Sequence, residues 1–244
     1  MDPLRIDVPV PPAETAQPGV RTVWVRVDEQ GRVLEEAHLV GSVLDGDYTA
    51  FGDDGVVTTR AFFREGRLEG EARLYEFGEV HQRASYRDGL LDGPLLLYVD
   101  GLVAAEICFL AGVREGETIL YQAGKPSSRL LYRGGKLTGR SVWLDEAGNV
   151  VKSAEYLDDR LHGLSVEYYA PDQIREESEY VDGVLHGTVI SYHPNGRVRS
   201  RTVYDKGLAQ GVPIEYDEDG RHLGEAEPPR STFRWLLDPF RPAG

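Results

Sequence analysis

The sequence predicts an all-β protein: an elongated, single-layer antiparallel β-meander of about eight hairpin repeats, each 23 or 24 residues long. A glycine recurs at this spacing, at Gly46, Gly70, Gly93, Gly116, Gly139, Gly163, Gly187 and Gly211. A large apolar or aromatic residue lies seven positions before each glycine, at Leu39, Phe63, Tyr86, Phe109, Tyr132, Tyr156, Tyr180 and Tyr204. A period of 20 to 50 residues is typical of repeat architectures, and no sustained 3.6-residue apolar period indicates a helix within the array.

The chain before the array is rich in proline. Residues 1–21 contain five prolines, so we expect an extended or disordered lead: Pro3, Pro9, Pro11, Pro12 and Pro18. Thr22–Val27, TVWVRV, follows as the first predicted strand. The predicted array of repeats then covers residues 22–224.

One repeat, residues 188–211, shows how each unit is expected to fold. Residues 188–192 alternate in a period of two, which predicts a half-buried strand. Pro194 then fixes one turn dihedral, and Asn195-Gly196 supplies the positive φ of a tight hairpin. Residues 197–204 form the second predicted strand, and Gly207 lies in the turn to the next unit. Each repeat is therefore predicted to be a hairpin that pairs edge to edge with its successor.

The turn positions recur in the other units. The first turn contains Gly31, Gly55, Gly78, Gly101, Gly124, Gly148, Gly196 and Gly220. The second turn contains Gly66, Gly89, Gly112, Gly135, Gly183 and Gly207, with Ser42 and Asp159 as exceptions. Residues 164–187 lack the first-turn glycine and carry Pro171-Asp172 instead, which we interpret as an imperfect repeat.

Four segments resemble a known family of repeats. DGVLHG (182–187), DRLHG (159–163), REGRLEG (64–70) and YHPNGRVRS (192–200) are similar to bacterial MORN-type repeats, in the variant associated with antitoxin and immunity proteins. The resemblance covers about residues 22–224 and implies a single-layer, twisted antiparallel meander. It also implies a protein that binds and neutralises a toxin.

The C-terminal residues 225–244 are predicted to form a tail or cap. Ser231 is a suitable N-cap for one short helix within STFRWLLDPF. Two interpretations stay open. The segment either folds over the last strand, as repeat arrays require, or docks into a partner through Trp235 and Phe240.

The net charge of −14 opposes binding to nucleic acid or to an anionic membrane, whereas a basic protein is attracted. Residues 145–182 carry 11 acidic against 3 basic residues, and residues 205–227 carry 7 against 2. We therefore expect an acidic C-terminal half and a nearly neutral N-terminal half. The acidic half is either a solvated surface or a docking face for a basic partner.

The sequence predicts no catalytic or metal site. It has no phosphate-binding loop, HExxH or GxSxG motif. The lone Cys108 lies in a predicted strand and is interpreted as structural. His162 and His186 occupy equivalent turn positions about 10 Å apart, too far to share a zinc ion, and are interpreted as turn residues. No EF-hand spacing indicates calcium. We expect no enzyme activity and no cofactor.

The leading functional hypothesis is a cytoplasmic immunity or antitoxin-type protein that masks a toxin. The start of the chain lacks the basic and apolar regions of a secretory signal. The partner-binding candidates are Tyr168, Tyr192, Tyr216, Asp217, Glu218, Asp219, Trp235 and Phe240. The alternative is a structural adaptor that bridges cellular components; the partner, the binding face and the oligomeric state stay open.

Overall fold

The structure, a computed structural model, describes residues 19–225, and all regular structure in that range is β-strand. Within each part of the chain described below, successive strands pair as an antiparallel meander, as predicted. The strands are β1 (Arg21–Val27), β2 (Val33–Val40), β3 (Val43–Phe51), β4 (Val57–Arg64), β5 (Arg67–Leu68), β6 (Gly70–Glu76), β7 (Glu79–Arg87), β8 (Leu90–Val99), β9 (Leu102–Leu110), β10 (Val113–Gln122), β11 (Lys125–Arg133), β12 (Lys136–Leu137), β13 (Gly139–Leu144), β14 (Val150–Leu157), β15 (Arg160–Ala170), β16 (Gln173–Val181), β17 (Val184–Tyr192), β18 (Val198–Asp205), β19 (Leu208–Ala209), β20 (Ile214–Tyr216) and β21 (His222–Glu225).

The chain divides into two compact units, Met1–Lys136 and Leu137–Gly244. We call their described parts, residues 19–136 and 137–225, the N-terminal and C-terminal units. The predicted proline-rich lead falls almost entirely outside the described residues. The predicted C-terminal helix or cap also lies outside them.

The hairpins close through two kinds of turn. In the first kind, two residues join the strands, as between Val181 and Val184, and the first of the two often has a left-handed backbone, such as Asp182 with φ of 50°. In the second kind the loop is longer. The amide of Gly196 donates to the carbonyl of His193 at 2.9 Å, and the Asn195 side chain accepts from the amide of Arg197 at 3.0 Å. Gly196 takes the positive φ that the sequence predicted, at 83°.

A β-bulge explains why the repeat glycine recurs. Between β16 and β17, Ser178 lies opposite Val189 and Tyr180 lies opposite Leu185, so Glu179 alone faces the three residues around Gly187. Gly187 has φ of 112°, and an added Cβ would lie 3.0 Å from Cβ of Glu179. Both the backbone conformation and the close approach therefore require glycine.

The hydrophobic core lies on one side of the sheet in the N-terminal unit. We call the side that carries the residues seven before each repeat glycine face 1, and the opposite side face 2. Four large face-1 residues of this unit are at most 8% exposed: Leu39, Phe63, Tyr86 and Phe109. Phe63, Tyr86 and Phe109 form one continuous cluster with buried small residues and with Leu95 and Ile107. This packing stabilises the single layer, because each side chain is covered by its neighbours on adjacent strands.

Face 1 of the C-terminal unit has a more polar interior. Its aromatic residues Tyr156, Tyr180 and Tyr204 are only half-buried. The central buried positions are small, at Ser141, Ala154, Ser165 and Ser178. The aromatic residue at this repeat position is therefore buried at Phe63, Tyr86 and Phe109, but only half-buried from Tyr132 onwards.

The two-residue turn that lies four residues before a repeat glycine is tied to the preceding hairpin in seven cases. The amide of Gly183 donates to the carbonyl of Leu161 at 2.7 Å, and the amide of Gly207 donates to the carbonyl of Leu185 at 2.8 Å. The same bond recurs at Gly66, Gly89, Gly112, Gly135 and Asp159. Backbone groups that would otherwise be exposed at the sheet edge are thereby paired.

Candidate functional site

Three of the predicted binding residues lie in a row on face 2 of the C-terminal unit. Tyr168, Tyr192 and Tyr216 occupy equivalent positions on β15, β17 and β20, and all three are half-buried. Each follows a register shift and lies opposite a residue of the next strand, namely Ile174, Val198 and His222 respectively. The row arises because each hairpin presents its tyrosine at the same end of the strand.

Two of the three tyrosines make specific side-chain contacts within the unit. The Tyr192 hydroxyl donates to Oε2 of Glu177 at 2.7 Å. Burial, and then the hydrogen bond and the negative charge of Glu177, raise the pKa of Tyr192 to about 12. The Tyr216 ring meets the His222 ring edge to face, with 5.7 Å between centroids. These rings are fixed in position before any partner binds.

The predicted acidic triplet 217–219 builds the turn between β20 and β21. Oδ1 of Asp217 accepts from the amides of Asp219 and Arg221 at 3.0 and 2.7 Å. The carboxylate of Asp219 lies 3.7 Å from Arg197 and 3.3 Å from Arg221. The backbone carbonyl of Glu218 accepts from Arg197 at 2.9 Å. Intramolecular arginines therefore offset part of the negative charge available to a partner.

The same face of the C-terminal unit has a groove of about 320 Å³ along β15. Leu164, Val166 and Tyr168 alternate along β15 and line it. Val166 is 7% exposed and forms the bottom, whereas Leu164 is 41% exposed. Glu155 on β14 and Glu177 on β16 lie on opposite sides. Arg140 on β13 also lines the groove, so an apolar floor lies between two glutamates with one arginine beside Glu155.

The sequence analysis did not single out this groove. The sequence pattern that indicates the groove is the alternation of Leu164, Val166 and Tyr168, together with glutamates at positions 155, 177 and 179. These residues share a face only because of the order and the register in which β14, β15 and β16 pair, and neither can be read from the sequence pattern alone.

The difference in net charge between the two units is smaller than predicted. The N-terminal unit has 19 acidic and 14 basic residues, and the C-terminal unit has 17 and 9. The prediction of a nearly neutral N-terminal half is therefore wrong. It overlooked the basic run around Arg197, Arg199 and Arg201, and the basic tail, both of which belong to the C-terminal half. The C-terminal unit is still the more acidic.

The residues weighed for chemistry have structural roles. Nδ1 of His162 accepts from the amide of Asp182 at 3.4 Å, which is the turn-stabilising role predicted for it. Cys108 is a free, half-buried thiol, and burial, followed by the charges of Glu106 and Glu117, raises its pKa. Between residues 19 and 225, no group of three or more His, Cys, Asp or Glu side chains could hold a metal ion. In the same range no helix is long and apolar enough to cross a membrane.

Two candidates cannot be placed. Trp235 and Phe240 lie outside the described residues, so both interpretations of the C-terminal segment stay predictions.

Comparison with known families matches one hairpin of the C-terminal unit. Residues 185–206 match the family described as MORN repeat variant. This segment contains most of β17 and all of β18, including Gly187 and Tyr192. No curated protein matches the chain. The match supports the resemblance to MORN-type repeats, and repeats of this kind indicate a protein-interaction module that is generally not an enzyme.

Proposed function

We propose that the chain is a non-enzymatic protein-binding module of the cytoplasm, and more specifically an immunity-type protein that neutralises a toxin by covering its surface. The observation that carries this proposal is face 2 of the C-terminal unit. It presents a tyrosine from each successive hairpin beside exposed aliphatic side chains, including Leu164, Val203 and Ile214 at 40–45% exposure. Tyrosine is enriched among the residues that dominate the binding energy of protein interfaces, and the groups around it serve to exclude water.

The charge of this unit supports a basic partner. Its excess of acidic over basic residues attracts a positively charged surface and accelerates encounter. Neutralisation then needs no bond chemistry, because a protein that covers the active site of a toxin excludes its substrate. The preformed sheet keeps the entropic cost of such binding low.

The test uses the full chain as bait in cells of its native source. The partner recovered with the wild-type chain is then titrated against two variants. The first replaces Tyr168, Tyr192 and Tyr216 by alanine. The second is the matched control, which replaces the tyrosines at equivalent positions of the N-terminal unit: Tyr75, Tyr98 and Tyr121. We expect the first variant to weaken binding by at least about 100-fold and the control to retain it.

The immunity proposal adds a growth experiment. The partner is expressed with and without the wild-type chain, and we expect it to stop growth unless the chain is present. A partner that binds but is harmless, and that joins the chain to a cellular structure, would support the adaptor and overturn the immunity role. Failure to recover any protein from the native source would overturn the binding function itself.

A further inference from the structure

The groove along β15 specifies the kind of segment that the partner presents, an inference that rests on the proposed function. Its floor is Leu164, Val166 and Tyr168, and Glu155 on β14 and Glu177 on β16 line its two sides. Glu179 lies next to the groove on β16. Leu164 lies directly opposite Glu179, and Val166 directly opposite Glu177. Two carboxylates therefore line one short apolar strip, and the third, of Glu179, lies beside it.

Two of these carboxylates are unsatisfied within the protein. Glu155 and Glu179 are exposed, and neither makes a hydrogen bond or ion pair with another residue between 19 and 225. Arg140 on β13 also lines the groove and lies opposite Glu155, but within the described residues the two side chains form no ion pair. Glu177 keeps one carboxylate oxygen for other partners, because the Tyr192 hydroxyl binds Oε2. The groove can thus accept cationic groups without breaking internal ion pairs.

The repeat places acidic side chains on the strands next to β15. The face-2 side chains that closely approach a repeat glycine include His38, Ser85, Cys108, Glu155 and Glu179. Of these, only Glu155 and Glu179 are acidic, and they lie on the two strands that flank β15. The Glu155 carboxylate lies over Gly163 on β15, whereas that of Glu179 lies over Gly187 on β17. Neighbouring strands are about 4.8 Å apart, so the walls are roughly 10 Å apart. This width fits one extended polypeptide chain.

We propose that this groove binds an extended segment of a partner protein in which lysine or arginine alternates with aliphatic residues. The aliphatic side chains and the methylene stems of the basic residues pack on Leu164, Val166 and Tyr168. The charged ends pair with Glu155, Glu177 and Glu179. Nucleic acid and anionic lipid carry the wrong charge for these walls.

The experiment measures a defined probe against the full chain. The probe is a fluorescein-labelled peptide of alternating arginine and valine, about eight residues long, the length of a strand. The control peptide has glutamine in place of arginine. Fluorescence anisotropy at low and at physiological salt gives the affinities. We expect only the arginine peptide to bind, with an affinity that falls as salt rises.

Two charge-matched variants locate the site. The groove variant carries Glu155→Gln, Glu177→Gln and Glu179→Gln. The matched variant carries Glu29→Gln, Glu76→Gln and Glu79→Gln in the N-terminal unit, with the same change in net charge. We expect the groove variant to weaken binding by at least about tenfold and the matched variant by less than about twofold. Leu164→Gln, which keeps every charge, should also weaken binding.

The results of these experiments distinguish failure of the groove proposal from failure of the proposed function. Three results would overturn the groove proposal: the arginine peptide does not bind, both triple variants weaken its binding equally, or the glutamine peptide binds as tightly as the arginine peptide. A native partner that binds the groove variant as tightly as the wild type would also overturn it, while leaving the protein-binding function intact. If no native partner exists, the peptide titration still decides whether the groove recognises basic segments.

Discussion

The amide nitrogen of Asp182 donates a hydrogen bond to Nδ1 of His162, 3.4 Å away and 20 residues earlier in the chain. The residue just before the repeat glycine has this role in six successive hairpins. Its side chain accepts a hydrogen bond from the turn of the next hairpin. The acceptors are Asp45, Glu69, Asp92, Glu115, Thr138 and His162. Four different residue types thus perform one task.

Removing one such acceptor should weaken the array measurably. Oε2 of Glu115 accepts from the amide of Gly134 at 2.7 Å, the shortest bond of this series. We expect Glu115→Ala to lower the free energy of unfolding by about 1 kcal/mol, because the turn loses a charge-assisted partner. Glu115→Gln keeps an accepting oxygen and should cost less than half as much. Urea denaturation measures both; equal losses would contradict the role of the acceptor.

A comparison of Gly187 with Gly211 separates two costs of adding a side chain: crowding against a neighbouring side chain, and a positive backbone φ. Their φ angles are 112° and 107°, but only Gly187 has a neighbour within 4 Å of an added Cβ, the side chain of Glu179. We expect Gly187→Ala to destabilise by about 3 kcal/mol and Gly211→Ala by about 1 kcal/mol. Thermal and urea unfolding report the difference. Equal costs would show that close approach to Glu179 is unimportant.

Ser141 contains a buried polar group whose removal should stabilise the protein. Its Oγ is fully buried and, within the part of the chain that the structure describes, has no hydrogen-bond partner. We expect Ser141→Ala to raise the free energy of unfolding by about 1 kcal/mol. Ser178 is the control, since its Oγ donates to Glu176 at 3.1 Å. Ser178→Ala should be destabilising, and a loss of stability in both variants would contradict the argument.

The tyrosine of the binding row should make stability sensitive to alkaline pH. Burial and Glu177 raise the pKa of Tyr192 to about 12, above the value of about 10 in an unfolded chain. The folded state therefore favours the neutral hydroxyl. This contribution is intact below pH of about 10 and is lost as the pH rises towards 12.

Tyr192→Phe should consequently unfold with a shallower decline in stability over this alkaline range. Burial followed by Glu35 also raises the pKa of Tyr48, so Tyr48→Phe should act in the same direction. Tyr204→Phe serves as the control for loss of a hydroxyl. Urea midpoints at several pH values provide the measurement. Parallel curves for Tyr192→Phe and the wild type would refute the assignment.

The sequence predicted the meander because its periodic signals are local. The alternation in residues 188–192, the turn at 193–196 and the second run up to Tyr204 correspond closely to β17 and β18. The spacing of Gly187 from Gly163 and Gly211 then defined the repeat. Such signals need only neighbours along the chain.

The contacts between hairpins could not be predicted in the same way. The residue before the repeat glycine can be aspartate, glutamate, threonine or histidine. All four accept hydrogen bonds, but they do not form a recognisable motif, and each partner amide is about 20 residues away. The groove was missed for a related reason. Glu155 and Glu179 flank β15 only because each bulge fixes the register of the flanking strands.

The ties between turns join each hairpin to the one immediately before it, as Gly183 is joined to Leu161. Duplication or deletion of a whole 23- or 24-residue segment would therefore leave the new neighbours with the partners they need. We therefore expect the array to tolerate the gain or loss of whole hairpins, which changes the area of the sheet before any single side chain is altered.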